Sequence, residues 1–276
     1  MTEISSADVV KLRKSTGAGM MDCKKALQEA DGDFEKAIEI IRKKGQLVAA
    51  KRADREANEG VVLAKVSSDM KTGVMIVLSC ETDFVAKNQS FISFAESILN
   101  LAMEKLPPNL EELKKLKLGG KTVSDAINLQ VGVIGEKIDL SFYDKLNAEH
   151  VTPYIHPGNK LASLVGLNKP VSNHQIGKDV AMQVAAMDPV AVDKDGVPKH
   201  IIDKEIEIGK DQARREGKPE EILEKIAIGK LNKFFKEKTL HNQEFIKDNK
   251  KSILQYLQEN DKELTVIGFI RYSLKD

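Results

Sequence analysis

Apolar residues recur at helical spacing in three short segments at the start of the chain. Ser5 with Asp8 forms a capping-box pattern, and Val9 and Leu12 supply the first apolar face. After a Thr-Gly-Ala-Gly turn at 16–19, Cys23, Ala26, Leu27 and Ala30 fall at i, i+3, i+4 and i+7, and Gly32 closes that segment. Phe34, Ala37, Ile38 and Ile41 repeat the spacing, which stops near Gly45. Helices this short are marginal alone and must share one core, so residues 1–45 are predicted to form a three-helix module of docking size. The charged, alanine-rich run QLVAAKRADREANE at 46–59 has no clear apolar face at its end and reads as a linker, helical in part.

Strand patterns then take over. Residues 61–66 and 74–80 read as two strands joined by a turn around 69–73. A helix follows with Phe91, Phe94, Ala95, Ile98 and Ala102 on one face, ending before Pro107 and Pro108. Residues 110–130 are a less regular helical stretch broken at Gly119 and Gly120, and 137–146 reads as a strand. The order recurs: strands at 151–155 and 161–167 flank a Pro-Gly turn, and a helix over 176–187 turns Ala181, Val184 and Ala185 to its core. This predicts an α+β chain whose core is a duplicated, sandwich-like pair of antiparallel sheets, subdomain N at 60–147 and subdomain C at 148–276. A charged helical hairpin at 199–236 interrupts the second unit. Ile202, Ile206 and Ala213 on one arm, and Leu223, Ala227, Leu231 and Phe234 on the other, form stripes narrow enough that the arms must pair with each other. A loop and short helix carrying Ile253, Leu254 and Leu257 precede a closing strand at 263–274.

Charge and cysteine usage narrow the function classes. Against 43 basic side chains stand 42 acidic ones, giving a formal charge of +1. No strong field recruits nucleic acid or a membrane, so the expected partner is a protein or a small molecule. Cys23 and Cys80 sit in a helical and a strand pattern, and read as buried small hydrophobes in a reducing compartment, not as a disulfide framework. No apolar run approaches ~18 residues, and the first ten residues have neither a basic region nor a signal-like apolar stretch, so a cytoplasmic protein is expected.

Catalytic chemistry has little to stand on. There is no Walker A sequence, no nucleophile elbow and no C-x-x-C. Gly17 and Gly19 form a G-x-G between two helices, without the preceding strand that a cofactor loop needs. Of the five histidines only His150 and His156 are close in sequence, with no matching acid or cysteine for a metal. The informative stretch is VMIVLSCETDFVAKN at 74–88, a stiff strand running into an acid and an aromatic. Asp83 and Phe84 have two readings. They are an exposed tip that wedges into a partner, or Thr82 or Asp83 caps the next helix and Phe84 packs as its staple.

LRKSTGAGMMDCKKAL at 12–27 and CETDFVAKN at 80–88 resemble the elongation factor Ts family, as do AMQVAAMDP at 181–189, REGKPEEILEKI at 215–226 and VIGFIRY at 266–272, in order and over essentially the whole chain. The resemblance implies a nucleotide exchange factor for elongation factor Tu, without covalent chemistry. It implies no cofactor of its own, because the GDP and Mg²⁺ it acts on belong to the partner. The three-helix module, ubiquitin-associated-like in the family, would dock on the partner's nucleotide-binding domain; the core would grip that domain and the third; the hairpin would be the family's coiled-coil protrusion. Thr82, Asp83, Phe84 and Val85 would act near the partner's Mg²⁺ and phosphate region. Leu12, Gly17, Met20, Met21 and His156 would form a secondary interface. A dimer or a 2:2 complex is left open, and neither a membrane nor direct nucleic-acid contact is implied. Two departures stand out. Gln183 occupies a position where relatives often carry histidine, and the sequence stops at Asp276 where many relatives continue into a helical module, so that module is expected to be dispensable here or the affinity lower. The alternative from another class is an RNA- or ribosome-associated structural protein, which would need a basic face that the even charge does not supply.

Overall fold

The computed structural model describes residues 4–274. Residues 1–3 and 275–276, the outermost ends of the predicted first and last units, lie outside the described residues.

Ser5 caps α1 (Ser6–Thr16) by accepting from the Asp8 amide, and Gly17 ends it with φ +73°. α2 (Met20–Glu29) and α3 (Phe34–Lys51) follow, and the facing sides of the three close around Val9, Leu12, Cys23, Ala26, Leu27, Ala37 and Ile41. The third helix does not stop near Gly45. It continues to Lys51, and Val48 and Ala49 pack against the neighbouring core, so the predicted linker is helix with an apolar face over 46–51.

β1 (Glu59–Val66) and β2 (Thr72–Cys80) form an antiparallel pair, with Val62 opposite Val77. After a single-turn helix, α4 (Asp83–Ala86), α5 (Gln89–Lys105) lies over the pair, its Phe91, Ala95, Ile98 and Ala102 buried. The irregular stretch resolves into α6 (Leu110–Lys115), a two-residue-per-arm hairpin of β3 (Lys117–Leu118) and β4 (Lys121–Thr122), and α7 (Val123–Ile134). β5 (Ile138–Asn147) then returns along the free edge of β2, giving sheet order β1-β2-β5.

The second unit repeats this path. β6 (His150–Ile155) pairs with β7 (Leu161–Leu167), α8 (His174–Met187) covers them, a long excursion follows, and the last strand returns beside the central one. The excursion comprises the hairpin arms α9 (Lys199–Arg215) and α10 (Glu220–Lys238), a small hairpin of β8 (Glu244–Phe245) and β9 (Asp248–Ser252), and α11 (Ile253–Asn260). β10 (Val266–Ser273) completes the order β6-β7-β10. Both units therefore read strand, strand, helix, excursion, strand, with the second strand central in each. That shared topology carries the duplication that weak internal similarity only suggested.

The strands alternate in which core they serve, as the two-residue side-chain period requires. Val74, Ile76, Leu78 and Cys80 face α5, whereas Met75 and Val77 face the second sheet. Val165 and Leu167 face α8, whereas Ala162 and Leu164 meet the first sheet. The result is four layers: helices, sheet, sheet, helices. Buried on both faces, these strands appear in the sequence as unbroken apolar runs.

In the long hairpin, Ala213, Leu223, Ala227 and Leu231 are buried between the arms, and Gly209 lets the backbones meet at Ala227. Gln183, fully buried on α8, donates to Gln243 Oε1 and the Glu244 carbonyl and accepts from the Ile246 amide, so it fastens the β8–β9 hairpin. Among the described residues no helix is long and apolar enough to cross a membrane.

The helical module is seated on the core by α7. Leu129 enters its apolar cluster, Arg42 pairs with Asp125 at 2.6 Å, and the helices cross where Gly45 meets Gly132. A Cβ on Gly132 would lie 2.8 Å from the Gly45 Cα, and one on Gly45 would lie 2.6 Å from the Asn128 carbonyl oxygen. Neither neighbour can yield, because both are backbone. Gly132→Ala is expected to destabilise by ~1–3 kcal/mol, the overpacking cost exceeding the smaller gain in helix propensity. Gly229→Ala on α10 has open space around its Cβ and is expected to stabilise by ~0.5–1 kcal/mol. Urea melts of the two variants should move in opposite directions.

Candidate functional site

β2 delivers the chain to the surface at Glu81, and the next five residues are fixed from three directions. Thr82 is extended (φ −123°, ψ 152°) and its hydroxyl accepts from the Val85 amide, capping α4. The same hydroxyl donates to Glu136 Oε1 at 2.7 Å, and the Thr82 amide donates to Glu136 Oε2 at 3.0 Å. Glu81 accepts from the Lys137 amide at 2.6 Å and from Arg52 Nη1 at 2.7 Å. The Lys137 amide, followed by Arg52 and Arg55, holds the Glu81 carboxyl below the usual carboxylate range. Lys137 Nζ donates to the carbonyls of Ala53 and Arg55, tying down the segment that leaves α3.

On this base α4 makes one turn. Ala86 is buried and Val85 half-buried against the first core. At 3.6 residues per turn Phe84 then points roughly 160° away from Ala86. It is 83% exposed, the most exposed large hydrophobic side chain among the described residues. Of the second reading, the capping half is therefore correct and the staple half is not. Thr82 caps, but Phe84 packs on nothing, although burying a phenylalanine would stabilise the chain by about 1.5–3 kcal/mol. Asp83 accepts from Lys87 Nζ at 2.6 Å on the helix surface, and that hydrogen bond draws its carboxyl below the ordinary value and raises the lysine.

A cleft of about 500 Å³ opens beside the tip, between the two units. Asp83, Lys87 and Ile92 line one wall, and His156, Lys160 and Ser273 the other. The turn that carries His156 is held there by β1: the Val62 amide donates to the Asn159 carbonyl at 2.7 Å, and Lys160 pairs with Glu59 at 2.5 Å. Gly158 and Asn159 take left-handed backbone at φ +92° and +57°, which makes the turn tight enough to project His156. His156 is exposed, its Nδ1 2.9 Å from the Tyr154 hydroxyl. Asp83, Val85 and Phe84 thus share one edge of the molecule with His156, although 73 positions separate Asp83 from His156 in the numbering.

The helical module contributes surface of its own. Met20 and Met21 at the start of α2 are 40% and 66% exposed, and Gly17 is exposed in the preceding turn. Leu12 departs from the interface expectation. It is fully buried in the module's core and offers a partner no surface, so its part is to hold α1 in place.

His150 does not join His156. It is buried, stacks on His174 at 5.5 Å, and its Nε2 has no hydrogen-bond partner. Among the described residues no cluster of three or more His, Cys, Asp or Glu is arranged to hold a metal. Cys80 and Cys23 are both buried and free, and burial pushes the Cys80 thiol up to about 12.

A sequence profile of the Elongation factor TS family matches residues 81–276. Curated relatives named Elongation factor Ts are 54% identical over 270 residues in Amoebophilus asiaticus, spanning 97% of this chain and 98% of theirs. Similar proteins are found in Porphyromonas gingivalis, 52% identical over 272 residues and 98% of each chain, and in Christiangramia forsetii, 53% identical over 275 residues, 99% of this chain and all of theirs. The chain belongs to the elongation factor Ts family. Its role is accordingly that of a translation elongation factor.

Glu81, Glu136, Lys137 and Arg52, which hold the tip from below, were not among the residues singled out in the sequence. Glu136 lies 54 positions from Thr82 and follows a helix-ending glycine, so no local pattern marks it.

Because its side chain is almost wholly exposed, Phe84→Ala is expected to change stability by less than about 0.5 kcal/mol, moving a thermal melt by no more than roughly 2 °C. A pH dependence follows from the buried imidazoles. Burial holds His150 and His241 below their usual value, with His174 adding to the effect at His150 and Asp193 opposing it at His241. The unfolded chain binds the extra protons first, so the stabilisation is complete above the unfolded value near 6.5 and is lost as pH falls through the lower folded values. Each group contributes at most about 1.4 kcal/mol per pH unit. Urea melts from pH 7.5 to 5.5 should show falling stability, with a shallower slope in His150→Gln.

Proposed function

We propose that this protein promotes release of GDP from elongation factor Tu and its replacement by GTP, using Phe84 as a wedge and Asp83 as a hydrogen-bonding group beside it. The observation that carries the reading is Phe84 itself, 83% exposed on a one-turn helix braced by a doubly buried strand. A solvated phenylalanine on so stiff a mount has much to gain by entering a partner, and little conformational freedom to lose there.

An exchange factor need not touch the guanine. It has only to bind the empty GTPase more tightly than the loaded one, and reciprocity then weakens nucleotide binding by the same factor. Mg²⁺ demands near-ideal octahedral coordination, so small displacements of the groups around it weaken nucleotide binding most. Phe84 would part the partner's elements near that ion. Asp83, released from Lys87, would hold the displaced groups, and Val85 and Thr82 would keep α4 in place. His156, across the cleft, would engage a second surface of the partner, and Met20, Met21 and Gly17 would dock the helical module on its nucleotide-binding domain. No covalent bond changes in this chain, and the nucleotide and metal are the partner's. The direction of exchange follows the nucleotide concentrations of the cytoplasm.

Saturating protein should accelerate loss of fluorescent GDP from Mg²⁺-loaded elongation factor Tu in a stopped-flow chase without hydrolysing GTP. Phe84→Ala is expected to cost ~2–4 kcal/mol of that coupling, roughly 30-fold to 1,000-fold. Asp83→Asn should cost less, since the amide keeps the size and one acceptor. An unchanged GDP off-rate with the unaltered protein would refute the proposal.

A further inference from the structure

Thr82 has one hydroxyl hydrogen to donate, and it donates to Glu136. Because the hydroxyl donates its hydrogen bond to Glu136 Oε1 at 2.7 Å, its lone pairs are left to the Val85 amide, which approaches at 3.4 Å in the cap contact that starts α4. The second carboxylate oxygen accepts from the Thr82 amide at 3.0 Å, fixing the peptide plane as well as the side chain. A bidentate, charge-assisted clamp of this kind sets direction, not only distance. Val85 and Ala86 supply the turn's remaining purchase on the core, and Phe84 lies on the far side of it. Rotation of Thr82 would turn α4 and with it the direction in which the aromatic ring points.

Glu136 is itself delivered by α7. Gly135, at φ +81°, ends that helix with its amide donating to the Val131 carbonyl, and β5 begins at Ile138. Glu136 is thus caught between two fixed elements. Its neighbour Lys137 uses its amide on Glu81 and its ammonium on the segment leaving α3. Two consecutive residues therefore grip two consecutive residues of the tip's base.

We infer that Glu136 is a positioning residue for nucleotide exchange, acting through Thr82 to aim Phe84. This rests on the wedge reading of the tip, and the experiment separates the two. Hydrogen exchange on the free protein needs no partner. In Glu136→Ala the Val85 amide should exchange roughly tenfold or more faster, because the Thr82 hydroxyl that accepts from it loses its own charge-assisted bond to Glu136, while amides within β5 keep their protection. GDP release from elongation factor Tu is then measured for Glu136→Ala in the native and the Phe84→Ala backgrounds, with Glu136→Gln as the conservative variant. The release rate at saturation is expected to fall about 10-fold to 100-fold when Phe84 is present, as for a misplaced reacting group, and less than about twofold when it is absent. Glu136→Gln keeps one acceptor for the Thr82 hydroxyl and should recover part of the loss with an unchanged melt.

Equal losses in both backgrounds would overturn the inference, since Glu136 would then act independently of the ring. So would unchanged Val85 exchange, or a loss in Glu136→Gln that only tracks a lower melting temperature. Faster Val85 exchange, with no acceleration of GDP release even by the unaltered protein, would sink the wedge reading and with it the assignment of Glu136 to exchange, leaving only a cap.

Discussion

Burial of β2 on both faces is the constraint from which the rest of the molecule follows. Val74, Ile76, Leu78 and Cys80 are closed over by α5, and Met75 and Val77 by the opposite sheet. A strand held this way has no freedom to twist or slide, because shifting its register by one residue would exchange the two cores. It also fixes its neighbours. β1 pairs along one edge and in turn holds the Asn159 turn; β5 pairs along the other and brings Glu136 and Lys137 to the strand's end. The tip, the cleft wall opposite and the clamp beneath are three consequences of one doubly buried strand.

Much of the fold was legible because its periods are strong. The runs at 61–66 and 74–80 contain enough β-branched residues to mark strands without homologues, 161–167 is a short apolar run set off by the Pro-Gly turn before it, and the hairpin's stripes predicted that its arms would pair. What failed did so for want of distant information. Where α3 runs on to Lys51, Gly45 meets Asn128 and Gly132 of α7, a distant contact that nothing near residue 45 announces. The arms of β3 and β4 are two residues each, too short for a period.

The candidate site was legible at its centre and illegible at its support. The stretch CETDFVAKN identified the tip, but a single helical turn has no periodicity, so whether Phe84 faced the core or the solvent could not be read. Leu12 erred the other way. An apolar stripe says which residues share a face, not whether that face is covered, and here it is. Glu136 and Arg52 reach the tip from 54 and 30 positions away from Thr82, and their roles exist only once the sheet has closed.

The crossing of Gly45 and Gly132 bears on how recognition is divided along the chain. Two binding surfaces joined by a loose tether act as separate ligands, and the second engages at an effective concentration that the tether's length dictates. Here the exposed methionines of α2 and the ring of Phe84 belong to bodies fitted together backbone to backbone, tied again through Arg42 and Lys137. The two exposed surfaces are therefore held at a fixed span, like the jaws of a caliper. On the proposed reading a partner domain of the wrong width would not satisfy both, and selectivity would come from the spacing itself as much as from either contact.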